Sequence, residues 1–408
     1  MSEHTLKVVT GDLRPGMFVA ELDRPWLDTP FLLQGFEIKD QEDIETLQRY
    51  CSYVFIDLDR TPLQLLDSLP RPAPGPAHPE ALLAHTVQYR DARSLDEELP
   101  RARAAHARLS ENLRNTFNKL ATDKRLDVQA LQGDLNVMVE SVISNPDAFA
   151  WLARLQKKDD YTYAHSLSCS VWAVAFGRQL GMRKDDLQHL ALGASLFDIG
   201  KLMVPKDILG KVERLTEEEL DVIRMHVDFG LELLEKSHDI PAIVHDMVAH
   251  HHERFDGSGY PGGLSGTAIP LPARMASIVD CYDAITTARP YQRPISPAAA
   301  VKKLYEWRGR DFQPELVEEF IQAIGLYPAG TLVELTTGEV AVVMSESRVR
   351  RLRPRVMVIL GPDKHFLDEF YSMDLLHDSG KTDFKGSIEI RQALEPGAYG
   401  IDPAALYL

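Results

Sequence analysis

Between residues 165 and 280 stands a histidine and aspartate set of the types that bind transition metals: His165, Asp198, His226, His251, His252 and Asp280. Imidazole nitrogen and carboxylate oxygen together suit Fe, Mn, Zn, Co or Ni, whereas an all-oxygen set would point to Mg or Ca. One carboxylate can bridge two ions. Such a pair activates a water, polarises a phosphoryl oxygen and stabilises the leaving oxygen of an in-line displacement, so hydrolysis of a phosphodiester is its natural reaction. Taken singly, a helical histidine is ordinarily a core or surface residue, and an aspartate ending a helix is ordinarily solvated. The string His250-His251-His252-Glu253, followed by Asp256-Gly257-Ser258-Gly259-Tyr260-Pro261-Gly262-Gly263, differs because adjacent imidazoles lead into glycines that let a loop approach a ligand closely. Three neighbouring histidines also bind metal adventitiously, so the pattern around them decides.

The elements that must hold these residues are helices. His165 is expected in a helix from Tyr161 to Leu180, and Asp198 at the end of the helix holding Leu190, Leu192 and Leu196. Thr216-Glu217-Glu218-Glu219 reads as a capping box that opens a helix with Leu220, Ile223, Val227 and Leu231 on one face, and His226 is expected on that helix. His251 and His252 close a helix starting near Ile240-Pro241, and Asp280 belongs to a helix from Ala273 to Thr287. Asn145 followed by Pro146 reads as an N-cap and first helical position.

Around this region the pattern changes twice. Residues 1–69 alternate short apolar and polar stretches, as in Tyr53-Val54-Phe55-Ile56-Asp57, and fit a small α/β domain. The closely spaced prolines of residues 70–79 read as a linker. Residues 80–140 read as a helical connecting region, 141–325 as the helical domain with the histidines, and 326–408 as a small β-rich appendage marked by β-branched runs such as Val340-Ala341-Val342-Val343-Met344. The fold class expected is mainly α.

Composition narrows the function. The chain has 408 residues, 44% of them hydrophobic, with a formal net charge of -16. That acidic background argues against a duplex-binding surface, which needs a clustered Lys/Arg field. A small anionic ligand is still compatible with it, because metal ions and a few basic groups outweigh distant net charge. Three cysteines, Cys51, Cys169 and Cys281, lie far apart and do not suggest a disulfide framework. No apolar run approaches membrane-spanning length, and Met1-Ser2-Glu3-His4 leads into polar sequence, so a cytoplasmic protein is expected.

The stretch His251-His252-Glu253-Arg254-Phe255-Asp256-Gly257-Ser258-Gly259-Tyr260-Pro261 resembles the signature of the HD-GYP family of cyclic di-GMP phosphodiesterases. The resemblance runs from about Tyr161 to Tyr291 and takes in Asp198-Ile199-Gly200-Lys201, His226, Asp280-Cys281-Tyr282-Asp283-Ala284 and Thr287-Ala288-Arg289-Pro290-Tyr291. It implies an all-helical HD domain that cleaves cyclic di-GMP to pGpG, or onward to GMP. By motif position, His165, Asp198 and Asp280 would serve one metal, and Asp198 as bridge with His226, His251 and His252 would serve the other. Lys201 would contact a phosphate oxygen, Tyr260 and Arg289 would hold the nucleotide, and Glu253 would orient the metal-binding loop. Two ions at most are implied, Fe or Mn ahead of Zn, Co and Ni; signalling proteins and a second copy of the chain are admitted as partners.

Three positions depart from the family pattern. Its paired His-Asp is Phe197-Asp198 here, so the first metal loses an imidazole and gains a ring that cannot coordinate. Gln292 stands where a basic residue is common, and Tyr161 stands where three-metal members have a carboxylate. The resemblance therefore leaves a phosphodiesterase of reduced activity or a degenerate domain that binds cyclic di-GMP or a protein without hydrolysis; a nucleotide phosphohydrolase of the wider HD superfamily is a third reading, against which the Gly257-to-Pro261 loop argues.

Overall fold

The computed structural model describes residues 5–24, 35–57, 60–62, 65, 86–123, 128–155, 161–211, 213–237, 240–287, 294–347, 351–377 and 388–401. The proline-rich stretch 70–79, Arg289 and Gln292 lie outside these residues. Two compact units are present, Met1–Pro79 and Glu80–Leu408.

The first unit is the expected small α/β arrangement. Strands β1 (Thr5–Val9), β2 (Phe18–Leu22), β3 (Phe36–Glu37) and β4 (Tyr53–Asp57) form an antiparallel sheet in the order β1-β4-β2-β3. Helix α1 (Gln41–Tyr50) starts where the Asp40 carboxylate accepts the amides of Glu42 and Asp43. Alternate residues of β4, Val54 and Ile56, are buried together with Ile44 and Leu47 of α1.

The second unit is helical: α2 (Leu95–Asp123), α3 (Val128–Ser144), α4 (Pro146–Leu155), α5 (Tyr161–Gln179), α6 (Lys184–Leu196), the short α7 (Lys206–Leu209), α8 (Glu217–Arg224), α9 (His226–Glu235), α10 (Ala242–His250), α11 (Leu271–Thr286), α12 (Pro297–Trp307) and α13 (Pro314–Ile324). Helix α5 is central. Residues 164–177 are all buried, with His165, Ser166, Ser168 and Ser170 among apolar neighbours, and the helix packs against α6, α11 and α13. Asn145 caps α4 by accepting the Asp147 amide at 3.0 Å. No helix among the described residues is long and apolar enough to cross a membrane.

Two helix boundaries differ from expectation. The capping box at Thr216 and Glu219 is present, but α8 ends at Arg224 and His226 opens the next helix. At the break His226 Nδ1 donates to the Ile223 carbonyl, and Gly200 lies so close that a Cβ on it would meet the His226 carbonyl oxygen. Helix α6 ends at Leu196, so Asp198 stands in the turn beyond it, ahead of a short 3-10 segment Ile199–Met203.

The C-terminal strands β5 (Leu332–Leu335), β6 (Val340–Ser345), β7 (Arg355–Leu360), β8 (Phe366–Asp374) and β9 (Ile390–Ala393) form an antiparallel sheet in the order β8-β7-β6-β5-β9. Leu332, Val340, Val342, Ile359 and Leu360 join the helical core, while Val333, Leu335, Ala341, Val343, Val356 and Val358 form a second cluster with Met373, Leu375 and Ile388. Burial on both faces explains why β5 to β7 read as continuous apolar runs.

Candidate metal centre

The six ligand-type side chains reach one place from separate parts of the bundle. They form two groups that share Asp198: Asp198, His226, His251 and His252 in one, and His165, Asp198 and Asp280 in the other, with the ligand atoms of each group within 4.8 Å of one another. Gly200 makes the convergence possible. A Cβ there would collide with the His226 carbonyl oxygen and the Gly230 amide nitrogen, so only glycine lets the turn carrying Asp198 and Lys201 press against the start of α9.

Hydrogen bonding sets the imidazole tautomers. His226 Nδ1 lies 2.7 Å from the Ile223 carbonyl oxygen, and His251 Nδ1 lies 3.0 and 3.1 Å from those of Met247 and Val248. A carbonyl only accepts, so each Nδ1 is the donor, and each Nε2 of a neutral ring is left with a lone pair. The two Nε2 atoms are 3.3 Å apart, and each is 3.5 Å from Asp198 Oδ1, a buried oxygen with no hydrogen-bond partner. Three acceptors therefore face one point away from water, which is costly without a cation. These residues fit a transition-metal ion. Burial lowers His226 to about 4 and takes His252 well below the usual histidine range, which keeps both rings neutral at pH 7. Burial pushes the Asp198 carboxyl upward, but the Lys201 ammonium and the His165 ring outweigh it and hold the group well below the usual carboxylate range.

The other group is differently satisfied. His165 Nε2 lies 3.1 Å from Asp280 Oδ1 and 3.4 Å from Asp198 Oδ2, and its Nδ1 lies 2.8 Å from Asp283 Oδ2. Asp198 Oδ2 also accepts from Lys201 Nζ. Phe197 is wholly buried beside them, stacked on the His251 ring at 4.8 Å between centroids and edge-on to His165 at 6.0 Å. Cys169 Sγ sits 3.6 Å from His165 Nδ1, and burial raises its thiol to about 12, so it carries no charge at neutral pH.

The loop after α10 is tied to the site through Glu253, whose two oxygens accept the amides of Gly262 at 2.7 Å and Leu264 at 3.0 Å. A Cβ at Gly259 would collide with backbone atoms of His252, Glu253 and Arg254, so the loop folds back against the histidines only with glycine there. This brings the Tyr260 ring onto His252, 4.6 Å between centroids and 23° from parallel. Burial raises the Tyr260 hydroxyl above its usual range, so it remains a phenol.

Two residues near the site were given no role in the sequence, Asp283 although it stands within the Asp280-to-Ala284 motif. Asp283, which pairs with His165 Nδ1 and accepts from Trp172 Nε1 and Thr287 Oγ1, lies three residues after Asp280 on the same helix; that spacing was the available signal. Arg224, whose guanidinium carbon is 5.6 Å from the Tyr260 ring centre, gave no signal beyond its neighbourhood to His226.

Residues 147–316 match the family model described as an HD domain, and residues 5–131 match a domain of unknown function (DUF3391). The chain is 34% identical over 357 residues to the cyclic di-GMP phosphodiesterase PA4108 of Pseudomonas aeruginosa, covering 86% of this chain and 84% of the relative. It is 39% identical over 173 residues to the cyclic di-GMP phosphodiesterase response regulator RpfG of Xanthomonas campestris, covering 42% of this chain and 46% of the relative. It is 29% identical over 191 residues to 3'3'-cGAMP-specific phosphodiesterase 2 of Vibrio cholerae, covering 46% of this chain and 37% of the relative. With the length of the first match and the His251-to-Pro261 signature wrapped around the imidazole cluster, the chain belongs to the HD-GYP family of phosphodiesterases.

Proposed function

We propose that the chain is a metal-dependent phosphodiesterase that hydrolyses cyclic di-GMP to the linear dinucleotide pGpG or onward to GMP. The observation that carries this reading is the meeting of two imidazole Nε2 lone pairs with the buried, unpartnered Oδ1 of Asp198. Asp198, His226, His251 and His252 would hold a divalent ion such as Fe or Mn, which would supply an activated water and draw charge from a phosphodiester oxygen. The protein's own part is positional. Carbonyls at Ile223, Met247 and Val248 hold two imidazoles with Nε2 forward, and Glu253 anchors the loop that carries Tyr260. Lys201 Nζ, only partly buried, offers an ammonium to a phosphate oxygen beside Asp198. Tyr260 and Arg289 hold the nucleotide. Relatives that act on cyclic di-GMP and on cGAMP support a cyclic dinucleotide as the substrate class.

Phe197 favours a second reading, a domain that binds cyclic di-GMP without turning it over, because a buried phenyl ring packs against His165 and His251 where the family has a ligand. Metal-loaded wild type incubated with cyclic di-GMP separates the two. Linear product is expected. Absence of product from wild type together with its appearance from a Phe197→His variant would reject hydrolysis, and nucleotide binding that survives metal removal would establish the binding module.

A further inference from the structure

The two halves of the centre are not equivalent, and we infer that the chain holds one metal ion, in the Asp198, His226, His251 and His252 half, while the Lys201 ammonium supplies the positive charge of the other half. This rests on the metal-dependent reading above. The oxygens of Asp198 carry the distinction. Oδ1 faces two Nε2 lone pairs and has no hydrogen-bond partner, so it calls for a cation from outside the chain. Oδ2 already accepts from Lys201 Nζ, a cation built into the sequence three residues on.

His165 Nδ1 lies 2.8 Å from Asp283 Oδ2, which makes it the donor of a neutral ring, and Nε2, 3.1 Å from Asp280 Oδ1, is left with a lone pair; what sets this half apart is the ammonium already on Asp198 Oδ2. Phe197 completes the enclosure with carbon where a fourth ligand would be needed, its ring fixed by contact with both His165 and His251. An ion entering this half would find three protein ligands and would have to displace an ammonium from a buried carboxylate, which removes one partner of a buried pair. Losing a group that merely orients a ligand already weakens metal binding about 10- to 100-fold, and here a ligand itself is lost. One divalent ion and the Lys201 ammonium would bring three positive charges against the three carboxylates Asp198, Asp280 and Asp283, a balance that needs no second ion.

The test is metal stoichiometry. Purified protein is stripped with chelator, reloaded with Mn²⁺ or Zn²⁺, desalted and measured for metal per chain. One equivalent is expected in wild type, two in Phe197→His, and none in His252→Ala, with Asp280→Asn retaining its one. Two equivalents in wild type would overturn the inference while leaving the proposed function standing. A single equivalent that survives His252→Ala but is lost in Asp280→Asn would also overturn it, by placing the ion in the wrong half. Wild type that takes up no ion would sink this inference and the proposed function together. The wild-type number is decisive even where Phe197→His does not fold.

Discussion

Asp198 does different work with each of its oxygens, and the geometry follows from what each neighbour can donate. Lys201 has protons to give and sits on Oδ2; His226 and His251 have spent theirs on carbonyls and present only lone pairs to Oδ1. The ligand types were legible in the sequence because imidazoles beside carboxylates are chemically conspicuous. Asp283 was not, because its role depends on meeting His165 across 118 residues of chain. Arg224 belongs to the same scale. Its guanidinium pairs with Asp221 at 2.7 Å on the exposed rim and lies over the face of Tyr260. An exposed ion pair of this kind is worth little and is readily exchanged for a phosphate. Arg224→Ala is expected to raise KM for cyclic di-GMP about 3- to 10-fold, the equivalent of roughly 1 kcal/mol, with kcat and metal content retained. Steady-state kinetics at two salt concentrations would check it; an unchanged KM would remove Arg224 from substrate binding.

Elements place these residues through a few close approaches. Helix α8 begins at the capping box read from Thr216 and Glu219, yet it ends before His226, whose Nδ1 donates back to the Ile223 carbonyl, a contact the helical pattern does not announce. Strands β5 to β7 were legible as β-branched runs. Strands β8 and β9 were not: β8 lies at the sheet edge and is mostly exposed, so its sequence alternates weakly. Gly200 shows what the centre requires of its supports. In Gly200→Ala the new methyl meets the backbone of His226 and Gly230, neither of which can swing aside. The expected cost is about 3 kcal/mol or more, with loss of bound metal, since the turn holding Asp198 must move off α9. Urea unfolding and metal analysis would check this; a variant with wild-type midpoint and metal content would show that the contact is not needed.

The main apolar core of the unit from Glu80 to Leu408 extends from α2 to one face of the C-terminal sheet, and the acidity of the chain as a whole does not intrude on it. The helical class and the β-rich tail were legible from hydrophobic period. The tail's membership of the main core was not, because a run buried on both faces looks the same whichever neighbour covers it. A buried imidazole also lies in this core, away from the Asp198 cluster. His106 of α2 is wholly enclosed near Phe149, its Nε2 has no hydrogen-bond partner, and burial lowers it to about 4. The unfolded chain takes up that proton near the ordinary value of 6.5, so between about 6.5 and 4 the unfolded state binds more protons and stability falls with acid. The loss is roughly 3 kcal/mol across that window. His106→Leu is expected to flatten the fall; urea midpoints at pH 7.5 and 4.5 would show it, and equal pH dependence in both chains would contradict it.

The most direct measurement is turnover of cyclic di-GMP by Mn²⁺-loaded wild type beside His252→Ala, with metal content taken on the same samples. Formation of pGpG by wild type, absent from the metal-depleted variant, is the predicted result. Equal product from both, or none from a wild type that retains its metal, would contradict hydrolysis at the Asp198, His226, His251 and His252 centre.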